Sequence, residues 1–211
     1  MLFRSRLSEN LQIEDREVRS LQEEGKEYLI EGRRFSDVVV AVPGSTVLTI
    51  SGIERCLSGA DIEFFRNSEY QRTVSVAVST PRPVDRDCYA LSIPRVEGFA
   101  AATIAFHNFI DPSSVPQGRG LLTITGGGPT VTADQLMIEL GRLYRIEPDA
   151  VDVMECAAGM PKFPPGRYKQ IHAFEGRSRK PGLFFCGDYL LGPFIEGAVT
   201  TGLRAAEAIR T

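Results

Sequence analysis

The sequence predicts a mixed α/β fold, with buried strands near its two ends and an antiparallel sheet between them. Three observations predict it. Asp37-Val-Val-Val-Ala-Val-Pro43 is an uninterrupted β-branched run closed by proline, the pattern of a strand buried on both faces. Residues 70–78, 88–93, 100–107 and 120–125 are short strand-like stretches. In the first, Val74, Val76 and Val78 fall on one face and Thr73, Ser75 and Ala77 on the other. Leu183-Phe-Phe-Cys186, introduced by Pro181-Gly182, reads as another short buried strand, and Gly187-Asp188 breaks it.

In chain order, residues 10–13, 17–21 and 27–31 alternate apolar and polar positions around turns near Gly25 and Gly32. They predict a small antiparallel meander. After the valine run, Val47, Leu48, Ile50, Ile53 and Leu57 form one or two short helices within 45–58. The four central stretches form an antiparallel sheet joined by proline-rich connections at Pro81/Pro83 and Pro112/Pro116. One face is expected under helices, and the other is free to line a substrate cavity. Gly126-Gly-Gly-Pro-Thr130 joins the last of these strands to a helix. Pro129 removes one donor, and the third glycine of a G-x-G-x-x-G would fall on Val131, so a turn is the better reading than a phosphate cradle. Residues 134–146 are helical, with Leu136, Leu140, Leu143 and Tyr144 on one face; 151–156 alternate as a strand, and 158–166 read as a rigid loop.

The composition is that of an ordinary globular protein: 43% hydrophobic and 24% charged over 211 residues, enough for one large or two small domains. With a net charge of −3 and scattered lysines and arginines, no nucleic-acid partner is expected. Cysteines at 56, 88, 156 and 186 form no C-x-x-C pair, and His107 and His172 are the chain's histidines, so no metal site is expected. Nothing calls for disulfides, which makes a cytoplasmic location the default. No apolar run approaches the roughly 18–20 residues that span a bilayer.

The stretch around which the chain is organised lies near its end. After Gly192-Pro193, Ile195, Val199, Leu203, Ala206 and Ile209 recur at helical spacing, and Gly197, Ala198, Gly202 and Ala205 keep that helix slim. Strand, glycine-bounded acid and helix N-terminus thus follow one another. Such a terminus presents unpaired N–H groups and about half a positive charge. Asp188, at the strand's carboxyl end, accepts hydrogen bonds from ligand hydroxyls or, in the plainer alternative, caps the helix. His107 and His172 read as structural and solvated, and Cys186 as a buried apolar filler. Lys162 and Arg167 flank the loop before the final unit, as solvated side chains or as a grip on an acidic substrate group. No serine or cysteine falls in a pattern of nucleophilic catalysis, and no catalytic residue is assigned.

Leu-Phe-Phe-Cys-Gly-Asp188, a spacer, then Ile195-Glu-Gly-Ala-Val-x-x-Gly-x-x-Ala-Ala-x-x-Ile209 resembles the C-terminal flavin-binding segment of the amine oxidase, protoporphyrinogen oxidase and phytoene desaturase superfamily. The resemblance covers nearly the whole chain. It implies the C-terminal part of a glutathione-reductase-like FAD-binding domain (residues 1–44 and 151–211), with an inserted antiparallel-sheet substrate domain (45–150). It implies that Gly187-Asp188 binds the ribityl–pyrophosphate region of FAD, and that the backbone of Ile195, Glu196, Gly197 and Ala198 faces the pyrimidine edge of the flavin. Helix-terminal N–H groups there stabilise the negative charge of the reduced ring. Val18 matches the position whose backbone contacts the adenine. Met160, Phe163 and Phe194 match positions that line the substrate. The loop at 158–166 is similar to the protoporphyrinogen oxidase version, with Arg167 in place of the histidine that often follows.

Departures from the family narrow the chemistry. Its amine oxidases carry a lysine on the first substrate-domain strand, whereas residues 72–76 have none. Of the two cage aromatics, Phe194 matches one and Gly159 stands at the other. The covalent flavin cysteine aligns near Ala158, so the expected FAD is non-covalent. These features favour the desaturase and protoporphyrinogen oxidase side, removing hydride from a C–C or C–N unit of a largely apolar substrate. An amine oxidase, or a binding module that has lost FAD, is the alternative. The family's opening strand with G-x-G-x-x-G and its ribose-binding acid, the N-terminal Rossmann βαβ, have no counterpart here. The expectation is therefore a split enzyme: a second polypeptide carrying the G-x-G-x-x-G half, with FAD shared across a large interface. Truncation is the alternative, and Met1 at a plausible boundary favours the split.

Overall fold

The computed structural model describes residues 11–84 and 88–210. Three sheets and five α-helices organise them around two hydrophobic clusters.

The meander consists of β1 (Leu21–Glu24), β2 (Glu27–Ile30) and β3 (Arg33–Phe35). Its second turn has positive φ at both Glu31 (47°) and Gly32 (82°), the geometry that a two-residue hairpin needs to match strand twist. The meander therefore starts one strand later than the alternation predicted. Asn10 lies outside the described residues, and residues 11–19 form no strand. Leu11 and Ile13 are exposed there. Only Ser20 bridges, in parallel, to Ser51.

β4 (Val38–Val40) pairs in parallel with β10 (Leu183–Phe185), Val38 opposite Leu183 and Val40 opposite Phe185. Those four side chains are buried together, but Val39, on the other face, is 40% exposed. The expected two-sided burial fails at Val39, because among the described residues only one face of this two-stranded sheet is fully packed. The first cluster forms on that face. Two 3-10 turns (Gly44–Thr49 and Ile53–Cys56), α1 (Gly59–Arg66) and α4 (Arg167–Glu175) bring Val47, Ile53, Phe64, Phe65 and Phe174 against Phe185. Phe174 is its hub: its ring stacks on Phe64 at 4.2 Å and meets Phe65 edge-on at 5.2 Å. α1 was not anticipated, although Ser58-x-x-Asp61 is a capping box. Ser58 Oγ accepts from the Asp61 N–H at 3.2 Å, and the Asp61 carboxylate accepts from Arg177 Nε at 2.7 Å.

The second cluster lies under a five-stranded antiparallel sheet in the order β6-β7-β8-β5-β9. Its strands are β5 (Tyr70–Thr80), β6 (Ala90–Ser92), β7 (Ala101–Phe106), β8 (Gly120–Gly127) and β9 (Ala150–Pro161), with the one-turn helix α2 (His107–Ile110) after β7. Val74, Val76, Val78, Ile104, Leu122 and Ile124 pack against Leu136 and Leu140 of α3 (Ala133–Leu143), which Thr132 caps. The opposite face, with Thr73, Ser75, Ala77, Thr123 and Thr125, stays half-buried.

Packing contacts cross the expected boundaries at 44 and 151. Residues 45–66 pack with β4 and β10, because Val47, Ile53, Phe64 and Phe65 have their partners there. β9 belongs to the five-stranded sheet, since its main chain pairs with β5 from Ser79↔Ala150 to Tyr70↔Pro161, across a bulge. The strand thus runs on through Ala158–Pro161, where a loop was expected. Truncating the Phe174 hub by Phe174→Ala should cost about 3–5 kcal/mol of stability, read as a lowered midpoint of urea unfolding.

Candidate functional site

β10 delivers the chain into the organising turn. Phe185 and Cys186 are buried, and Gly187 follows at φ 155°. A Cβ on Gly187 would lie 2.5 Å from the Tyr189 ring, so only glycine lets the chain pass over it. Asp188 opens a single 3-10 turn (Asp188–Leu190), and its carbonyl accepts from the N–H groups of Leu191 (3.2 Å) and Gly192 (2.9 Å). Helix α5 (Ile195–Arg210) then begins.

α5 docks by its small residues. Gly197, Thr201 and Ala205, four apart, are buried. A Cβ on Gly197 would sit 2.5 Å from the Gly192 carbonyl oxygen. Thr201 Oγ1 accepts from the Gly187 N–H at 2.9 Å and donates to the Gly197 carbonyl at 2.8 Å, stapling helix to turn. Sequence reading missed Thr201; its signal was a hydroxyl in register with two small residues on one helical face. The apolar stripe of the helix points outward, with Ile195 80% and Leu203 61% exposed and Val199 exposed beside them. The larger side chains cannot enter the narrow gap that Gly197 and Thr201 close.

Asp188 is half-buried. Burial pushes its carboxyl above the usual carboxylate range, against hydrogen bonds from the Tyr189 N–H, the Tyr70 hydroxyl and its own N–H. Tyr70 Oη lies 3.5 Å from Asp188 Oδ1 and accepts from the Gly44 N–H at 2.9 Å. Burial, with Asp188 adding, pushes the Tyr70 phenol up to about 12.

Of the four N–H groups expected at the helix start, those of Gly197 and Ala198 are bonded to the Phe194 carbonyl, at 2.9 and 3.4 Å. Those of Ile195 and Glu196 have no protein acceptor among the described residues, and both residues are exposed. A half-buried acceptor therefore stands close in the chain to two open donors. Such a set suits a ligand that carries hydroxyls and an electron-rich carbonyl or phosphate edge, and these residues fit a flavin nucleotide.

The remaining expected site residues are more dispersed. Val18 is exposed in the extended segment ahead of β1, Met160 is exposed at the end of β9, and Phe194 is 72% exposed ahead of α5. Phe163 is half-buried, its ring 5.3 Å from Tyr168. Arg167 is neither solvated nor free for an acidic substrate group. It is buried, donates to Ser68 Oγ at 2.6 Å and lies 4.1 Å over the Phe64 ring. Lys162 pairs with Glu69 at 3.1 Å. His107 Nε2 lies 2.8 Å from Thr123 Oγ1, and His172 is exposed on α4. Cys186 is buried, as expected of a filler. A cavity of about 790 Å³ is lined by residues 80–84, Gly141 and residues 144–147. It opens at the far end of β5 from Tyr70, an 11-residue strand and so roughly 33 Å away.

A family model described as flavin containing amine oxidoreductase matches residues 2–210. No curated protein matches the sequence. Among solved structures, a protein named as a protoporphyrinogen oxidase from Exiguobacterium sp. 255-15 superposes with a TM-score of 0.77 at 13% identity, over 100% of this chain and 51% of that one. Reduced UDP-galactopyranose mutase gives 0.70 at 13%, over 92% and 45%. Putrescine oxidase bound to putrescine gives 0.64 at 16%, over 92% and 48%. At these identities the likeness is one of fold. The chain spans about half the length of the structures it matches.

The raised Asp188 carboxyl has a sign that can be tested. Its folded-state pKa lies above the unfolded 3.8, so folding favours the protonated form. The penalty is absent below the unfolded value and grows as pH rises through the folded one. Asp188→Asn should therefore raise the melting temperature at pH 7 and leave it unchanged below about pH 3.8, followed by calorimetry across that range.

Proposed function

The chain belongs to the flavin containing amine oxidoreductase family, and from that premise we propose that it is the C-terminal half of an FAD-dependent oxidoreductase of the desaturase and protoporphyrinogen oxidase kind. Family membership implies a flavin; FAD, held non-covalently, is the form proposed. The observation that carries the reading is the turn at Gly187-Asp188: a desolvated carboxylate at a parallel strand's end, stapled by Thr201 to a helix with two open N–H groups.

In this reading Asp188 accepts hydrogen bonds from the ribityl hydroxyls. The Ile195 and Glu196 N–H groups face the electron-rich edge of the flavin ring, with Gly197 and Ala198 close behind them. Val18 contributes backbone contacts to the adenine. The bound flavin supplies the hydride-accepting chemistry. The half-buried face of the five-stranded sheet, with Met160, Phe163 and Phe194, lines the path of a largely apolar small-molecule substrate. Arg72, where amine oxidases carry a lysine nearby, is tied to Glu155 at 2.6 Å and to the Val131 carbonyl at 2.7 Å. That supports hydride removal from a C–C or C–N unit other than a simple amine. All four cysteines are free thiols, as a cytoplasmic location would keep them. No helix among the described residues is long and apolar enough to cross a membrane.

The complementary G-x-G-x-x-G half, on a second polypeptide, docks where apolar surface is uncovered: the outer stripe of α5, the face of Val39 and the edge strand β9. Assembled with that half, the protein should purify yellow with one FAD per complex; a colourless complex overturns the reading. Asp188→Ala should weaken FAD retention roughly 10- to 100-fold, as loss of hydrogen bonds to a charged group does, measured by dialysis against apoprotein. Leu203→Arg, on the exposed stripe, should leave the isolated chain folded and abolish co-purification with the other half.

A further inference from the structure

We propose that Tyr70 is a positioning residue for Asp188: its hydroxyl holds the carboxylate toward the cofactor and couples the five-stranded sheet to that site. The inference rests on the cofactor role proposed for Asp188. Tyr70 is the first residue of β5, and its ring packs against the first hydrophobic cluster. Phenylalanine would fill the same space, so the hydroxyl is the part to explain. A phenol has one proton and can accept through its lone pairs. Tyr70 Oη accepts from the Gly44 N–H at 2.9 Å, which leaves its own proton for another acceptor. Asp188 Oδ1, at 3.5 Å, is the acceptor it meets. That separation is long for O–H···O, and in this proposal the carboxylate turns slightly on engaging a ligand to close it.

Among the described residues, no arginine or lysine stands against Asp188 to do this work. Its other donors are main-chain N–H groups, its own and that of Tyr189. Around the pair, Arg167 of α4 acts on Tyr70, and the buried Tyr189, next in the chain to Asp188, interacts with Asp188, Tyr70, Cys186 and Arg179. The Tyr70 hydroxyl is thus the side-chain donor available to keep Asp188 ionised and aimed. It spans 118 positions of sequence, from the first residue of β5 to the turn that follows β10.

Tyr70→Phe tests this in the assembled two-half protein. FAD retention should weaken about tenfold, the effect of one hydrogen bond to a charged group, and its loss on acidification should move to higher pH, because the ionised carboxylate has lost a donor. In an Asp188→Asn background the same substitution should have no further effect on retention. A purely structural role predicts additive losses and an unmoved pH profile, and either result overturns the proposal. The isolated chain provides a second reading: the carboxyl carbon resonance of Asp188 should titrate at higher pH in Tyr70→Phe than in the wild type. An unmoved titration refutes the coupling. An assembly that binds no FAD even with Tyr70 present would overturn the cofactor reading and leave the carboxyl titration to decide the coupling.

Discussion

The closeness of one helix to one turn governs the rest of this structure. Gly197 admits the Gly192 carbonyl where a Cβ would collide, and Thr201 bonds both to the Gly187 N–H and to its own helix. A buried threonine that satisfies groups on two elements is hard to replace, because either bond removed leaves a polar group desolvated. The staple has two consequences. It fixes Asp188 beside the start of α5, and it turns the small face of that helix inward. The large apolar side chains then point away from the body of the chain.

The two hydrophobic clusters meet at the ends of β5 and β9. Tyr70 and Pro161 pair there, and the Tyr70 ring belongs to the first cluster while Val74, Val76 and Val78 belong to the second. β5 is therefore the member through which a change in the five-stranded sheet reaches the Asp188 turn. The aromatic group of Phe64, Phe65, Phe174 and Phe185 makes the other end of that path stiff, with ring-centre separations of 4.2 to 5.9 Å.

Electrostatically the site is economical. Asp61 is also buried, but it has Arg177 and the Ser58 hydroxyl, and those hydrogen bonds hold its carboxyl below the usual range despite burial. Among the described residues, Asp188 has only main-chain donors and a phenol, and burial prevails. A carboxylate kept half-desolvated without a cation is a poor structural element and a good acceptor for a ligand. The contrast between the two acids is the physical reason for proposing a ligand role for one and a packing role for the other.

Much of this was legible in the sequence. The alternation of residues 70–78, the β-branched run at 38–42 and the strand–acid–helix order at 183–209 gave the right elements, because periodicity and glycine placement are local properties. Asp188 stood out for the same reason. Other features depended on partners distant in the chain: the outward stripe of α5, the burial of Arg167 over Phe64, the extension of β9 to Pro161 and the shift of the meander toward β3. Helical periodicity shows that a helix has an apolar face, but not which face the rest of the chain covers. Residue types by themselves determined which segments are strands and helices and where an acid meets a helix start. Which faces are buried, and that Tyr70 meets Asp188 across 118 positions, was decided by tertiary packing, since burial and desolvation depend on what approaches from elsewhere in the chain.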